Sequence, residues 1–247
     1  PLRAVILDWA GTTVDYGSRA PAGVFVQVFA QHGVEISLDE ARIPMGMQKR
    51  DHILTLTRMP AIARRWKEQT GRPPTEQDVD AMYASFVDLQ LECLVDYADL
   101  IPDVLEAQAA FREMGLKIGS NTGYNREMTE ILLAEAGRRG YRPDATVCAE
   151  DVPSGRPAPW MALRLAEALG VYPMEAIVKV GDTLADIEEG LNAGMWAVGV
   201  AKTGNELGLS QEEVDALDPD ELEARLADAY ERMYAAGAHV VVDGVGD

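Results

Sequence analysis

Four short apolar runs set the pattern of this chain: Ala4-Val-Ile-Leu7, Leu116-Lys-Ile-Gly119, Ala176-Ile-Val-Lys-Val180 and Trp196-Ala-Val-Gly-Val200, with a weaker one at Ala145-Thr-Val-Cys148. Between them, apolar residues recur every three or four positions. Val104, Ala107, Phe111 and Met114 precede the second run, and Met128, Ile131, Leu132 and Ala136 follow it. Met161, Leu165, Ala168 and Leu169 precede the run at Ala176, and Leu184, Ile187 and Leu191 follow that one. Runs of strand length alternating with helical periodicity predict an α/β fold, a doubly wound, Rossmann-like parallel sheet joined by right-handed crossovers and covered by helices on both faces. Ligands of such sheets bind beyond the C-terminal ends of the strands, so the residues after each run are where chemistry is expected.

One interval breaks the rhythm. From Asp8 to Pro102, about ninety residues carry no clear buried strand. Val24, Phe25, Val28 and Phe29 mark one amphipathic helix, and Val79, Met82, Phe86, Leu89 and Cys93 mark a longer one after Pro73-Pro-Thr75. This predicts an inserted α-helical cap domain over residues 18–99, with residues 1–17 and 100–247 forming the core domain, a division the 247-residue length accommodates. Gly17-Ser18 and Asp99-Leu-Ile-Pro102 are the expected double hinge, on which a cap can close over a substrate and exclude water.

The tips of the strands are chemically distinctive. The first run leads into Asp8-Trp-Ala-Gly-Thr-Thr-Val-Asp15, the second into Ser120-Asn-Thr-Gly-Tyr124, and the run at Ala176 into Gly181-Asp-Thr-Leu-Ala-Asp186. Brought together, carboxylates and hydroxyls of this kind make an oxygen-rich site for a hard divalent cation such as Mg2+. The cation would offset the repulsion between Asp8 and a phosphoryl group, leaving Asp8 free to attack phosphorus. Arg156, in Pro153-Ser-Gly-Arg-Pro157, supplies a fixed positive charge for the transferred oxygens. Asp15 and Asp186 also read as helix caps, with Asp186 meeting a metal directly or through water. A net charge of −19 with no cluster of Lys/Arg argues against nucleic acid and anionic membrane as partners. A small anionic substrate must then be held by local devices inside a repulsive global field. Cys93 and Cys148 are too few and too far apart for a disulfide framework or zinc spacing, and the expected compartment is the cytoplasm.

Asp8-x-x-Gly-Thr12, a Ser or Thr after the second core strand, a basic residue ahead of a helix and Gly181-Asp-Thr-x-x-Asp186 together resemble the haloacid dehalogenase superfamily over nearly the whole chain. The resemblance implies that Asp8 is a nucleophile that forms an aspartyl-phosphate. It also implies that Thr122 or Ser120, Arg156 and Asp182 serve the phosphate and the metal, and that the Ala10 carbonyl is a further metal ligand. Most phosphatases of the superfamily carry an acid two residues after the nucleophile. Here that residue is Ala10. Without an acid to protonate a departing alkoxide, ester hydrolysis should lose about 10²- to 10⁴-fold in rate.

The cap offers another way to stabilise a leaving group. In Pro44-Met-Gly-Met-Gln-Lys-Arg-Asp-His52, Gly46 permits a close backbone approach, and Lys49 and His52 are spaced to share a helix face as amine and acid/base. An amine and an aldehyde give an imine, and a protonated imine accepts the electron pair of a breaking carbon–phosphorus bond. The amine must be neutral to react, so Lys49 is expected to have a lowered pKa under a closed cap. Lys179 is the rival amine among the five lysines and reads as a strand residue or ion-pair partner.

Asp8-Trp-Ala-Gly-Thr-Thr-Val-Asp-Tyr-Gly17, Met45-Gly-x-x-Lys-x-Asp-His52, Gly119-Ser-x-Thr-Gly-Tyr124 and Gly155-Arg-Pro-x-Pro-Trp160 narrow the likeness to the phosphonoacetaldehyde hydrolases, or phosphonatases, over the full length. That resemblance implies hydrolysis of a small phosphonate to acetaldehyde and phosphate with Mg2+, a Schiff base on Lys49 and Asp8 as nucleophile. Met45, His52 and Tyr124 would assist near the imine. It also implies a homodimer formed through the cap, to which Met59-Pro-x-Ile-Ala-x-x-Trp66 would contribute unless that segment packs internally. Some members carry Cys where this chain has Ser18, so no thiol is required there. The chain ends soon after the strand-like His239-Val-Val-Val242, which leaves room for a further C-terminal segment; His239 is expected to be structural. A capped phosphomonoesterase or phosphomutase of the same superfamily is the alternative, and a non-catalytic phosphate-binding module is a more distant one.

Overall fold

The computed structural model describes all residues, 1–247. Six strands form one parallel sheet in the order β3-β2-β1-β4-β5-β6: β1 (Ala4–Asp8), β2 (Lys117–Thr122), β3 (Ala145–Cys148), β4 (Ile177–Gly181), β5 (Trp196–Val200) and β6 (Val240–Val242). β1 lies between β2 and β4, so the direction of winding reverses there. The crevice beyond such a reversal is where α/β sheets bind ligands. Register places Asp8 opposite Asn121 and pairs Leu7 with both Ser120 and Val180, which brings the tips of β1, β2 and β4 to one edge.

The core helices are α6 (Val104–Glu113), α7 (Arg126–Arg138), α8 (Trp160–Leu169), α9 (Leu184–Asn192), α10 (Gln211–Ala216) and α11 (Pro219–Ala235). β2 is longer than its apolar run suggests, because Ser120, Asn121 and Thr122 continue the ladder to β1 and β3. Their polar side chains are all buried. The Ser120 hydroxyl meets the Tyr141 hydroxyl at 2.7 Å, and Asn121 Nδ2 donates to Glu189. Polarity therefore marks internal partners here, and does not mark the end of the strand.

Every element between β1 and α6 is helical: α1 (Arg19–Gln31), α2 (Leu38–Arg42), α3 (Lys49–Arg58), α4 (Pro60–Thr70), α5 (Glu76–Cys93) and a 3-10 turn at Leu94–Tyr97. Local signals start and stop them. Ser37 with Glu40 and Thr75 with Asp78 form capping boxes at α2 and α5, Pro60 opens α4, and Gly71 ends it in a left-handed conformation. Phe25 and Phe86 stack at 4.5 Å between α1 and α5. Ile62 and Trp66 are fully enclosed, Trp66 edge-on to Phe29 at 6.4 Å and stacked on His32 at 5.4 Å. These two side chains pack inside the cap, the internal-packing alternative for this segment.

The two connections between cap and core are bonded to each other. Ile101 N–H donates to the Thr13 carbonyl at 3.0 Å, and Asp15 N–H donates to the Asp99 carbonyl at 3.3 Å. Asp15, Gly17 and Ser18 all have positive φ, forming a tight corner that glycine alone enters without strain. Asp15 then caps α1, accepting from the Arg19 and Ala20 N–H groups at 3.1 Å each. A single apolar cluster runs from Val5, Leu7 and Ile118 through Val14 and Ile101 to Phe25 and Phe86, so cap and core are packed as one body. No helix is long and apolar enough to cross a membrane.

Candidate active site

The cap loop before α3 is pressed onto the strand tips. Gly46 has φ +87°, and a Cβ there would fall 2.2 Å from Thr183 Oγ1; one at Gly123 would fall 2.5 Å from the Met47 carbonyl oxygen. Only bare backbone fits at these two contacts. Between the loop and the sheet lies a small, tight cavity lined by Asp8, Ala10, Ser18, Met45, Gly46, Lys49, Thr122, Gly123, Tyr124, Arg156 and Thr183.

Asp8 ends β1 and is 5% exposed. Its Oδ1 accepts from Arg156 Nη2 at 2.6 Å, and its Oδ2 has no hydrogen-bond partner. Burial raises its pKa, and the Arg156 charge opposes that shift. Arg156 is almost wholly enclosed: Nη2 also reaches the Asn121 carbonyl at 3.0 Å and Asn121 Oδ1 at 2.5 Å, Nε reaches Glu189 Oε2 at 3.0 Å, and Nη1 reaches the Gly46 carbonyl at 3.4 Å. Burial works against that cation, but Asp186, Asp8 and Glu189 outweigh it and hold the group charged. The guanidinium thus joins Asp8, sheet and cap in one plane of donors.

Asp182 follows β4. Its Oδ2 accepts the Asn205 N–H at 2.8 Å, and Thr12 Oγ1 lies 3.4 Å from Oδ1. Burial, then repulsion from Asp8 and Asp186, pushes its pKa well up. Asp186 behaves differently. Burial alone would raise it, yet Arg156 and Lys179 hold it below the usual carboxylate range. One of its oxygens is taken by Lys179 Nζ and by Arg156 Nε at 3.2 Å, and the other by Thr183 Oγ1 at 2.5 Å. Oxygens of Asp8, Asp182 and Asp186 converge within 4.8 Å of one another. With Glu189 this buried cluster holds four carboxylates against only Lys179 and Arg156, a donor set and charge excess suited to a divalent cation. Asp8 and Asp182 have the freer oxygens to hold it. Both Asp186 oxygens already have protein partners, and Ala10 lies beside Asp8 in the cavity wall.

Lys49 is the first residue of α3, where the positive end of the helix disfavours a further cation. It is 6% exposed, its Nζ makes no hydrogen bond or ion pair, and it faces the rings of Tyr124 at 4.9 Å and Phe25 at 5.8 Å. Burial, only partly offset by Asp8, brings its pKa down to about 8. Lys179 is as deeply buried, but Asp186, the Val180 carbonyl and Glu189 surround its ammonium. Thr122 lines the cavity and accepts the Tyr124 N–H at 3.1 Å; Ser120 is turned away toward Tyr141. Met45 and Tyr124 complete the wall.

His52 does not share the cavity with Lys49. Its Nε2 lies 2.8 Å from the Ala41 carbonyl, its ring stacks on Phe25 at 3.8 Å, and it is fully buried. Burial and the neighbouring Lys49 charge push its pKa well below the usual value. The neutral ring donates through Nε2, and Nδ1 is left without a partner. The three-residue spacing put both side chains on one side of α3, but the short imidazole stays within the cap while the long lysine stem reaches past it. The imidazole stands behind Lys49, off the cavity wall, on the Phe25 ring that the amine also faces. His239 is structural: its Nδ1 accepts the Ala197 N–H at 3.0 Å.

The residues to which the motifs assigned no role are mainly Glu189, Asn121 and Asn205. Glu189 is fully buried and gathers Asn121, Arg156, Lys179 and the Ala162 N–H. Its sequence signal was its position three residues after Asp186, one turn along the same helix face.

The model of the haloacid dehalogenase-like hydrolases matches residues 2–194. The chain is 52% identical to a phosphonoacetaldehyde hydrolase of Syntrophobacter fumaroxidans, with 100% of this chain and 89% of the relative covered. It is 50% identical to one of Bacillus cereus, over 98% of this chain and 92% of the relative. The crystal structure of a phosphonoacetaldehyde hydrolase-like protein from Oleispira antarctica superposes with a TM-score of 0.98 at 43% identity, covering 100% of this chain and 90% of that one. A buried aspartate at a strand tip, a metal-type carboxylate cluster and an unpaired cap lysine thus coincide with full-length similarity, and the chain belongs to the phosphonoacetaldehyde hydrolase family of haloacid dehalogenase-like hydrolases.

Proposed function

We propose that this enzyme cleaves the carbon–phosphorus bond of phosphonoacetaldehyde, releasing acetaldehyde and phosphate through a Lys49 Schiff base and an aspartyl-phosphate on Asp8. The observation that carries the reading is that one small cavity is lined both by an unpaired, deprotonatable lysine and by a carboxylate with a free oxygen. Ala10 beside them supplies no acid for an ester leaving group.

Lys49, as the free amine, adds to the aldehyde and loses water to give an imine, which is protonated. Asp8 Oδ2 attacks phosphorus, and the electron pair of the breaking bond moves into the iminium to leave an enamine. Protonation at carbon and hydrolysis return acetaldehyde and the free amine. Water then displaces phosphate from Asp8. Arg156 holds Asp8 and presents its charge to the transferred oxygens, while the Tyr124 and Phe25 rings favour the cationic imine. Mg2+, held by Asp8 and Asp182, would neutralise phosphoryl charge. Ser18, Met45 and the Gly46 backbone close the space around a two-carbon unit, and closure keeps bulk water off the imine.

Phosphate release from phosphonoacetaldehyde tests the proposal directly. The wild type is expected to be active, and Lys49→Arg and Asp8→Asn inactive. Borohydride added with substrate should label Lys49; labelling of Lys179 instead, or rapid turnover of simple phosphate esters with none of the phosphonate, would overturn it.

A further inference from the structure

Arg42, the last residue of α2, lies outside the cavity wall, yet its guanidinium bonds across from cap to core. Its Nη1 donates to the Gly17 carbonyl at 2.9 Å, the Ser18 carbonyl at 3.2 Å and Asn205 Oδ1 at 3.2 Å, and its Nη2 donates to the Gly208 carbonyl at 2.9 Å. Asn205 Nδ2 returns a bond to the Arg42 carbonyl at 3.4 Å. One cap guanidinium therefore grips the first hinge and the core segment 205–208 together.

That segment is tied to the strand tips. The Asn205 N–H is the donor to Asp182 Oδ2, the Thr203 hydroxyl donates to the Gly11 carbonyl at 2.9 Å, and Gly17 N–H donates to the Thr203 carbonyl at 2.7 Å. The packing admits no extra atoms. A Cβ on Gly208, whose φ is +68°, would lie 2.7 Å from Arg42 Nε, and one on Gly204 would lie 2.1 Å from Asp182 Cβ.

We propose that Arg42 is a positioning residue that latches the cap shut, bridging the Gly17-Ser18 hinge to residues 205–208 and, through Asn205, tying the closed cap to Asp182. Rotation of the cap at the hinge would separate Arg42 from Asn205 and Gly208, and three charge-assisted or side-chain hydrogen bonds would be exchanged for water. Closure is what buries Lys49, so the latch sets how often that amine meets solvent. In this respect it builds on the functional reading above.

The test uses the full chain without substrate. Wild type, Arg42→Gln, Arg42→Lys and Asn205→Ala are treated with trinitrobenzenesulfonate, labelling of Lys49 is followed by peptide mapping, and amide exchange is read over 44–48 and 205–208. Loss of the latch should raise the Lys49 labelling rate by about tenfold or more and speed exchange in both segments, as a shift toward an open population requires, with Arg42→Lys intermediate. In the same variants, KM for phosphonoacetaldehyde should rise more than kcat falls. If Arg42→Gln does not fold, Asn205→Ala carries the test, since it removes the side-chain acceptor and donor that meet Arg42 and keeps the backbone donor to Asp182. Wild-type labelling and exchange in a folded variant would overturn the latch. Because labelling needs no turnover, an enzyme inactive on phosphonoacetaldehyde would count against the functional reading and leave this test standing.

Discussion

The cap and the core each bury a lysine, and the two are treated in opposite ways. Lys179, on β4, is 1% exposed and its ammonium is enclosed by Asp186, Glu189 and a main-chain carbonyl. Lys49, on the cap, is 6% exposed and meets ring faces, a helix N-terminus and no hydrogen-bond partner. A buried cation satisfied by carboxylates is a structural counter-ion. A buried amine denied such partners gives up its proton near neutral pH and becomes a nucleophile. Burial alone therefore does not distinguish a reactive lysine from an inert one; the pairing does.

The sharpest way to break the comparison is to exchange the roles. If Lys49 forms the proposed Schiff base, Lys49→Arg should lower kcat by about 10⁴-fold or more, with the thermal midpoint little changed. Lys179→Met should instead act on stability. It leaves Asp186 and Glu189 short of a buried counter-charge, a defect worth about 3–5 kcal/mol, visible in urea unfolding, while Lys49 in the remaining folded protein still traps with borohydride. Equal loss of activity with unchanged stability in both variants would erase the distinction.

A pH series sharpens it. Lys49 has a folded-state pKa of about 8 against an ordinary 10.5. Below pH 8 both folded and unfolded states hold the proton, and folding bears the cost of burying the charge, about 3 kcal/mol at 1.36 kcal/mol per pH unit. Between pH 8 and 10.5 the unfolded chain binds more protons, so this contribution to stability rises with pH. The free amine is the reactive form, so imine trapping should rise about tenfold per pH unit below 8 and level off above it. A trapping curve still rising steeply at pH 10 would mean the amine is not desolvated. The smallest effect is expected from Tyr124→Phe. The ring face over Lys49 is retained and only the hydroxyl is lost, so the trapping midpoint should move by less than about half a pH unit, since cation–π attraction belongs to the ring. A larger shift would assign the phenol a part in proton transfer.

Much of this was legible in one dimension. Asp8, Asp182 and Asp186 stand at strand ends or one turn into a helix, and the Gly-Asp-Thr motif announces a turn whose Thr183 caps α9. Lys49 stood out because Gly46 precedes it and Ala10 removes the usual acid. His52 shows where such reading stops. Helical spacing specifies an angle around an axis, and whether a side chain reaches a cavity depends on its length and on what packs against it, here Phe25 and the Ala41 carbonyl. Glu189 and Asn121 carried no motif of their own, because their importance comes from partners 33 to 68 residues away along the chain.

By itself, then, the amino-acid order determined the alternation of strand and helix, the place of the insertion, and the acidic groups at two strand tips and in the helix turn after the second, since each depends on local periodicity and on turn chemistry within a few residues. The tertiary structure alone decided which buried lysine is unpaired, how Arg156 is held by Glu189 and Asp8, and that Arg42 reaches residues more than 160 positions away. Those outcomes depend on burial and on hydrogen-bond partners supplied by distant segments, which no local pattern encodes.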